Sequence, residues 1–178
     1  MPINLIKKYP ELLEILHMTP AERQASLRRI FNRDIQDNPD FKFRGVQIYP
    51  IKTDGFADMD REFMHLTTER VEEEDEEGNT VSKNEFEPER SMRLHWINHH
   101  VHERTPDNIV VFSVTERDQL KRQDVTKTYI YDKVEKYIIV LECQREKGYY
   151  LLTAYHMDRP YSQKQIQKKM KHALPQVQ

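Results

Sequence analysis

Residues 126–157 read TKTYIYDKVEKYIIVLECQREKGYYLLTAYHM, and this stretch decides the fold. Three runs within it, TKTYIYD, KYIIVLECQ and YYLLTAYHM, are rich in β-branched and aromatic residues, the composition of strands. The links are short: DKVEK joins the first two runs, and REKG, a hairpin turn ending in Gly148, joins the last two. A fourth strand-like run, NIVVFSVTE (108–116), lies just upstream. Consecutive strands joined by short links predict an antiparallel meander of four strands.

Alternation along these strands sorts their side chains. In YYLLTAYHM, Tyr149, Leu151, Thr153 and Tyr155 fall on one face and Tyr150, Leu152, Ala154 and His156 on the other. In KTYIYD, Lys127, Tyr129 and Tyr131 oppose Thr128 and Ile130. Upstream of the meander, Pro88 suits a helix start, Glu85, Glu87 and Glu89 suit its positive end, and Pro106 with Asn108 marks a stop, so one helix is expected over about 87–103. At helical spacing Leu94, Ile97 and Val101 form its core stripe; His95, His99 and His102 share an adjacent face, and Trp96 and His100 point away from the core.

Before that helix, the acidic run Glu72–Glu77 ends at Gly78-Asn79, the signature of an exposed hairpin at 69–83. The alternating ligand spacing of a calcium loop is missing. FKFRGVQIYPI, from Phe41, alternates like a strand. Further upstream, Leu5, Ile6, Leu12, Leu13, Ile15 and Leu16 suggest one short helix, and Thr19 as cap with Pro20 at the first helical position starts another. The chain closes with YSQKQIQKKMKHAL, a helix in a segment with five basic and no acidic residues from Arg159 onward, a phosphate-tracking surface. The expected architecture is α+β: N-terminal helices over 1–60, then a domain over 61–178 with a helix packed on a four-stranded antiparallel sheet and a C-terminal basic helix.

The 178 residues carry a net charge of −2, so no global basic field demands nucleic acid and an anionic partner needs a local patch. A single cysteine, Cys143, excludes an internal disulfide and cysteine-rich zinc motifs. Four glycines leave no phosphate-cradling glycine loop. Neither a signal-type apolar run nor a stretch of roughly 20 apolar residues is present, which points to a cytoplasmic protein without a membrane partner.

Two blocks carry a family resemblance. ERSMRLHWI (Glu89 to Ile97) and TYIYDKVEKYIIVLECQREKGYYLLTAYHMD (128–158), above all YYLLTAYHMD, resemble the phage- and mobile-element-borne nucleases of the barnase–EndoU–colicin–RelE-like superfamily over about residues 64–172. The resemblance implies a metal-independent, cofactor-free endoribonuclease, often deployed as a toxin with an antitoxin or immunity protein. It would cleave RNA, such as tRNA or ribosome-bound RNA, by 2′-OH attack to a 2′,3′-cyclic phosphate. Such a reaction needs a proton acceptor, a proton donor and cations for the phosphorane. By chemistry, His95 is the best proton-transfer group. Lys127 and Arg122 suit the scissile phosphate, and Thr153 and Tyr155 can hydrogen-bond it, with Tyr155 also able to stack a base. His95, Lys127, Thr153 and Tyr155 are thus the candidate catalytic residues, and Arg93, Arg122, Tyr129, Lys164 and Lys168 the candidate substrate-binding residues. Each has a plain structural alternative as core, edge-strand charge or solvated helix face. Two other readings stand beside the enzyme: an inactive interaction module keeping the fold, and a metal enzyme using His95 and His99 with His65 or His156.

Overall fold

The computed structural model describes residues 2–144 and 148–178. Pro10 interrupts the first apolar run, and a helix does not form there. A 3-10 turn at Ile3–Ile6 is followed by irregular chain. Leu13 and Ile15 are buried while Leu12 and Leu16 face out, the alternation of extended backbone. Helix α1, Pro20–Phe31, starts as its sequence requires: the Thr19 hydroxyl accepts from the Glu22 amide, and the Glu22 carboxylate accepts from the Thr19 amide. This reciprocal cap contributes about 1 kcal/mol. Leu27, Ile30 and Phe31 bury one face, and α1 runs on into a π-helical turn at Asn32–Gln36.

Two tight hairpins follow, β1 (Lys42–Phe43) with β2 (Val46–Tyr49) and β3 (Lys52–Thr53) with β4 (Phe56–Ala57). Arg44-Gly45 and Asp54-Gly55 make their turns with positive φ at both central residues, the backbone that twists with the strands. Helix α2 (Met59–Thr67), capped by Asp58, leads into an arm of β5 (Thr68–Glu74) and β6 (Thr80–Phe86), whose acidic tip is solvated.

The helix expected over 87–103 is broken. Helix α3 (Pro88–Ser91) and α4 (Trp96–Val101) are separated by a turn in which Arg93, Leu94 and Trp96 amides bond three residues back rather than four. The tighter winding rotates the second half relative to the first. Trp96 and His100, expected to face away from the core, are fully buried because the N-terminal segment covers that side.

The meander forms as β7 (Ile109–Asp118), β8 (Gln123–Asp132), β9 (Tyr137–Gln144) and β10 (Gly148–His156), all antiparallel. Of the REKG turn, residues 145–147 lie outside the described residues. The sheet has six strands rather than four, in the order β1-β2-β10-β9-β8-β7, because β2 adds to β10 in parallel. Gly148, at φ +101°, makes that seam possible: a Cβ there would fall on the Gln47 carbonyl oxygen. One sheet face packs Ile130, Ile139, Leu141 and Leu151 against α1, α2 and the tryptophan-bearing turn. That core joins residues on both sides of position 60, from Leu13 and Phe43 to Ala154. The other face packs Tyr129, Tyr131, Ile138 and Val140 beneath α5 (Pro160–Lys171), through Ile166 and Met170. Among the described residues no helix is long and apolar enough to cross a membrane.

Candidate functional site

Cross-strand register gathers most of the chemistry-bearing strand residues on the α5 face. Tyr129 lies opposite Val140, which lies opposite Thr153; one row along, Tyr131, Ile138 and Tyr155 align. Lys127 lies beside Glu142 in the next row. Strand parity alone groups Tyr149 and Leu151 with Thr153 and Tyr155, but a β-bulge between Leu151 and Thr153 separates the pairs. The extra residue reverses the alternation. Tyr149 and Leu151 join the helix-side core, while Leu152 and Tyr155 pack on the α5 side.

At the centre of this face stands Glu116 on β7, which sequence reasoning missed. Its Oε1 accepts from the Tyr129 hydroxyl at 2.8 Å and from the Lys169 ammonium of α5, and Lys127 Nζ lies 3.1 Å from Oε2. Burial pushes the Glu116 pKa up, but hydrogen bonds from Lys169, Tyr129 and Lys127 outweigh it, and the carboxyl is held below its ordinary range. The Tyr129 phenol, raised by burial and by Glu116, keeps its proton. Phe112 stacks on Tyr129 with ring centroids 5.1 Å apart. A signal for Glu116 existed: it continues the alternation of Phe112 and Val114, a carboxylate on an otherwise apolar strand face.

Glu116 also borders a groove of about 660 Å³ between β7 and α5, walled by Tyr161, Lys164, Lys168, Lys169 and His172. Lys164 and Lys168 lie one helical turn apart, and Tyr161 is 69% exposed. Cations on a helix beside an exposed aromatic ring suit a single-stranded nucleic acid, with charge for phosphates and a ring for a base.

The remaining candidates lie elsewhere. His95 sits on the opposite side of the sheet, in the turn before α4. Its Nε2 is 2.8 Å from the Glu11 carbonyl oxygen, which also accepts from Trp96 Nε1 at 3.2 Å. A carbonyl can only accept, so Nε2 carries the proton. Burial drives the His95 pKa down to about 4, so its ring is neutral at neutral pH. Arg93 is used internally, bonded to Glu89 at 2.8 Å and set over the Trp96 ring. Arg122 occupies the β7–β8 turn with φ 53°.

The other histidines are not a solvated face. His99 stacks on Tyr9 with centroids 4.5 Å apart, and His102 Nε2 is 3.9 Å from Asp40. His100 is buried beside the fully buried Asp132, with Nε2 3.1 Å from Oδ2 but poorly aligned for a hydrogen bond. Tyr9 donates to the same oxygen at 2.5 Å and accepts from Asn108 at 3.1 Å. Among the described residues no group of three or more His, Cys, Asp or Glu is placed to hold a metal ion. Comparison of the chain with protein-family models, with curated proteins and with solved structures finds no match.

Proposed function

We propose that this chain binds RNA in the α5 groove and cleaves it without a metal, as the resemblance to the barnase–EndoU–colicin–RelE-like nucleases implies. The observation that carries the reading is the Glu116 carboxylate gathered with Lys127, Lys169 and Tyr129 at the edge of a groove walled by an acid-free basic helix. An incoming phosphate competes with Glu116 for the two ammonium groups, which frees the carboxylate as it neutralises the phosphate. Glu116 then takes the ribose 2′-OH proton, the 2′-oxygen bonds to phosphorus, and the 5′-oxygen leaves with a proton from the Lys127 ammonium. The products are a 2′,3′-cyclic phosphate and a 5′-OH. Lys164 and Lys168 hold flanking phosphates and Tyr161 stacks a base, while Thr153 and Tyr155 line the same sheet face. His95 has no part in this chemistry. A toxin role in the cytoplasm, with a protein inhibitor as partner and a phage or mobile element as source, belongs to the same proposal.

A second reading has its own observation. Three donors already satisfy Glu116, and one of them ties α5 to the sheet, as a purely structural ion cluster would. The protein would then be an RNA-binding module without cleavage.

One experiment separates the readings. Purified protein is incubated with total RNA and labelled tRNA, with and without EDTA, beside Glu116→Gln, Lys127→Met and His95→Ala variants. Cleavage that survives EDTA, leaves cyclic-phosphate ends and falls at least about tenfold in Glu116→Gln and Lys127→Met, ~1.4 kcal/mol of barrier, supports the enzyme. RNA retained at low salt without cleavage supports the module. EDTA-sensitive cleavage revives the histidine–metal alternative, and neither binding nor cleavage refutes the nucleic-acid reading.

A further inference from the structure

A separate cavity of about 970 Å³ opens on the helix side of the sheet, between the N-terminal segment, the π-helical turn and the histidine-bearing turn. Its lining is strongly basic for an acidic chain: Lys7, Lys8, Arg33 and Arg104 share it with one carboxylate, Asp34. Arg33 already holds both Asp34 oxygens at 2.7 and 3.1 Å, and Lys7 is paired with Glu14 at 3.1 Å. Lys8 and Arg104 remain, cations whose side chains have no partner among the described residues.

Two irregular backbones shape this cavity. Arg33 and Asp34 lie in the π-helical turn at Asn32–Gln36, a geometry that recurs at functional sites. Glu103, next to Arg104, is held at φ 50° while its carboxylate takes two hydrogen bonds from Arg44, at 2.8 and 3.1 Å. A non-glycine residue in this region costs about 1–2 kcal/mol, and the Arg44 clamp offsets it. The wall also carries the stacked rings of Tyr9 and His99, 4.5 Å apart and inclined by 19°. Burial, with the charges of His100 and Arg104, drives the His99 pKa down to about 4, so its ring is uncharged at neutral pH. Asn98, also in the wall, accepts from Asn38 through Oδ1, and its amide hydrogens have no partner among the described residues.

We propose that this cavity binds a nucleoside monophosphate, with the phosphate on Arg104 and Lys8, the base against the Tyr9–His99 ring pair, and the Asn98 amide on a base acceptor. Its size is that of a small-molecule site, typically ~300–1,000 Å³, and far exceeds what inorganic phosphate fills. Two cations without partners and a flat neutral ring stack match a phosphate joined to a planar heterocycle. The site lies across the sheet from the α5 groove and does not rest on RNA cleavage there.

Calorimetric titration of the full chain at low ionic strength tests this, using the four ribonucleoside 5′-monophosphates, adenosine and inorganic phosphate as ligands. At least one nucleotide should bind with a sub-millimolar dissociation constant, with adenosine and inorganic phosphate each at least about tenfold weaker. Arg104→Gln should weaken the nucleotide by at least about tenfold, whereas Lys168→Gln, on α5, should leave it unchanged. Arg104 is exposed, so its variant is expected to fold, and thermal unfolding confirms this. Lys8→Gln, also on the surface, repeats the test independently. Absence of nucleotide binding overturns the proposal, as does phosphate binding as tightly as the nucleotide. So does nucleotide binding that Arg104→Gln and Lys8→Gln leave intact, or that Lys168→Gln abolishes.

Discussion

Asp132→Asn probes the pin that holds the N-terminal segment to the sheet. Asp132 is fully buried. Its Oδ1 accepts from the amides of Val134 at 3.0 Å and Glu135 at 2.8 Å, and its Oδ2 accepts from Tyr9 and faces His100. Asparagine keeps an oxygen for the two amides, but turns an amide nitrogen toward the Tyr9 hydroxyl and the imidazole. The variant loses one charge-assisted hydrogen bond, worth about 1.5–3 kcal/mol, and the attraction to His100. The total expected loss is about 3–5 kcal/mol, the cost of breaking a buried pair, or roughly 6–20 °C in Tm for a chain of this size. Urea unfolding followed by Trp96 fluorescence measures it, since Trp96 is the sole tryptophan and fully buried. The pH dependence is a second readout. Burial pushes the Asp132 pKa up, but His100, the Glu135 amide and Tyr9 overcome it and the folded-state pKa lies below the ordinary value of 3.8. A depressed carboxyl pKa stabilises the fold above the unfolded value, and that contribution is lost as pH falls through the folded one. The gap between wild type and variant therefore closes in acid, as Asp132 takes up its proton. A loss under about 1 kcal/mol, or a gap unchanged in acid, refutes the reasoning.

Gly148→Ala places a methyl group on the Gln47 carbonyl oxygen at φ +101°. It should cost about 2–4 kcal/mol and speed amide exchange in β2 more than in β7, as hydrogen exchange would show. Among the described residues Glu62 has no exposed surface and no hydrogen bond of normal geometry on either carboxylate oxygen, and burial raises its pKa to about 8, with the Ile51 amide offsetting only part. Because the folded state binds the extra proton, stability falls as pH rises from 4.5 to 8. Glu62→Leu should flatten that slope and stabilise the protein by about 1–3 kcal/mol at neutral pH, measured by urea midpoints across the range. His95 runs the other way. Its folded pKa lies near 4 against 6.5 unfolded, so the unfolded chain binds the proton first and stability falls as pH drops from 6.5 to 4. The His95 share of the loss is on the order of 3 kcal/mol, and in His95→Gln the fall in the same midpoints should shrink by that share, while the share from His99, whose folded pKa is also near 4, remains.

The parts of the fold visible in the sequence are those set by near neighbours. Thr19, Pro20 and Glu22 fix the start of α1 within four residues. Short links made β7 to β10 an antiparallel meander, whatever packs on it. The parallel β2–β10 seam joins Ile48 to Tyr149, about a hundred positions apart, and no local pattern encodes it. The bulge after Leu151 likewise follows from packing, and it decides the face on which Thr153 and Tyr155 lie. His95 and His100 looked suited to a polar helix face because their cover, Glu11 and Tyr9 of the N-terminal segment, lies more than eighty residues upstream. Lys127 and Tyr129 could be placed on one strand face, but the Glu116 that gathers them required the β7–β8 register as well.

The same long-range assembly gives the two sheet faces different freedom. The helix side is packed by α1, α2 and the tryptophan-bearing turn, with Trp96, Ile97 and Phe31 almost wholly buried. The α5 side is held far more lightly, since Ile166 is the only fully buried residue of that helix and the Glu116–Lys169 bond supplies its polar anchor. On the proposed function, a phosphate that draws Lys169 from Glu116 would loosen α5 while it binds, so that groove opening and carboxylate release become a single event. Salt acts on both halves of that exchange, screening the lysines from phosphate and from Glu116 alike. RNA affinity should accordingly fall less steeply with salt than the number of lysines in the groove suggests, because Lys127 and Lys169 give up an ion pair with Glu116 for each one they make to phosphate. Removing the carboxylate charge abolishes this competition. In Glu116→Gln, RNA binding should tighten and its salt dependence steepen while cleavage is lost, and that opposition distinguishes a base in a catalytic groove from a charge that only fastens a helix.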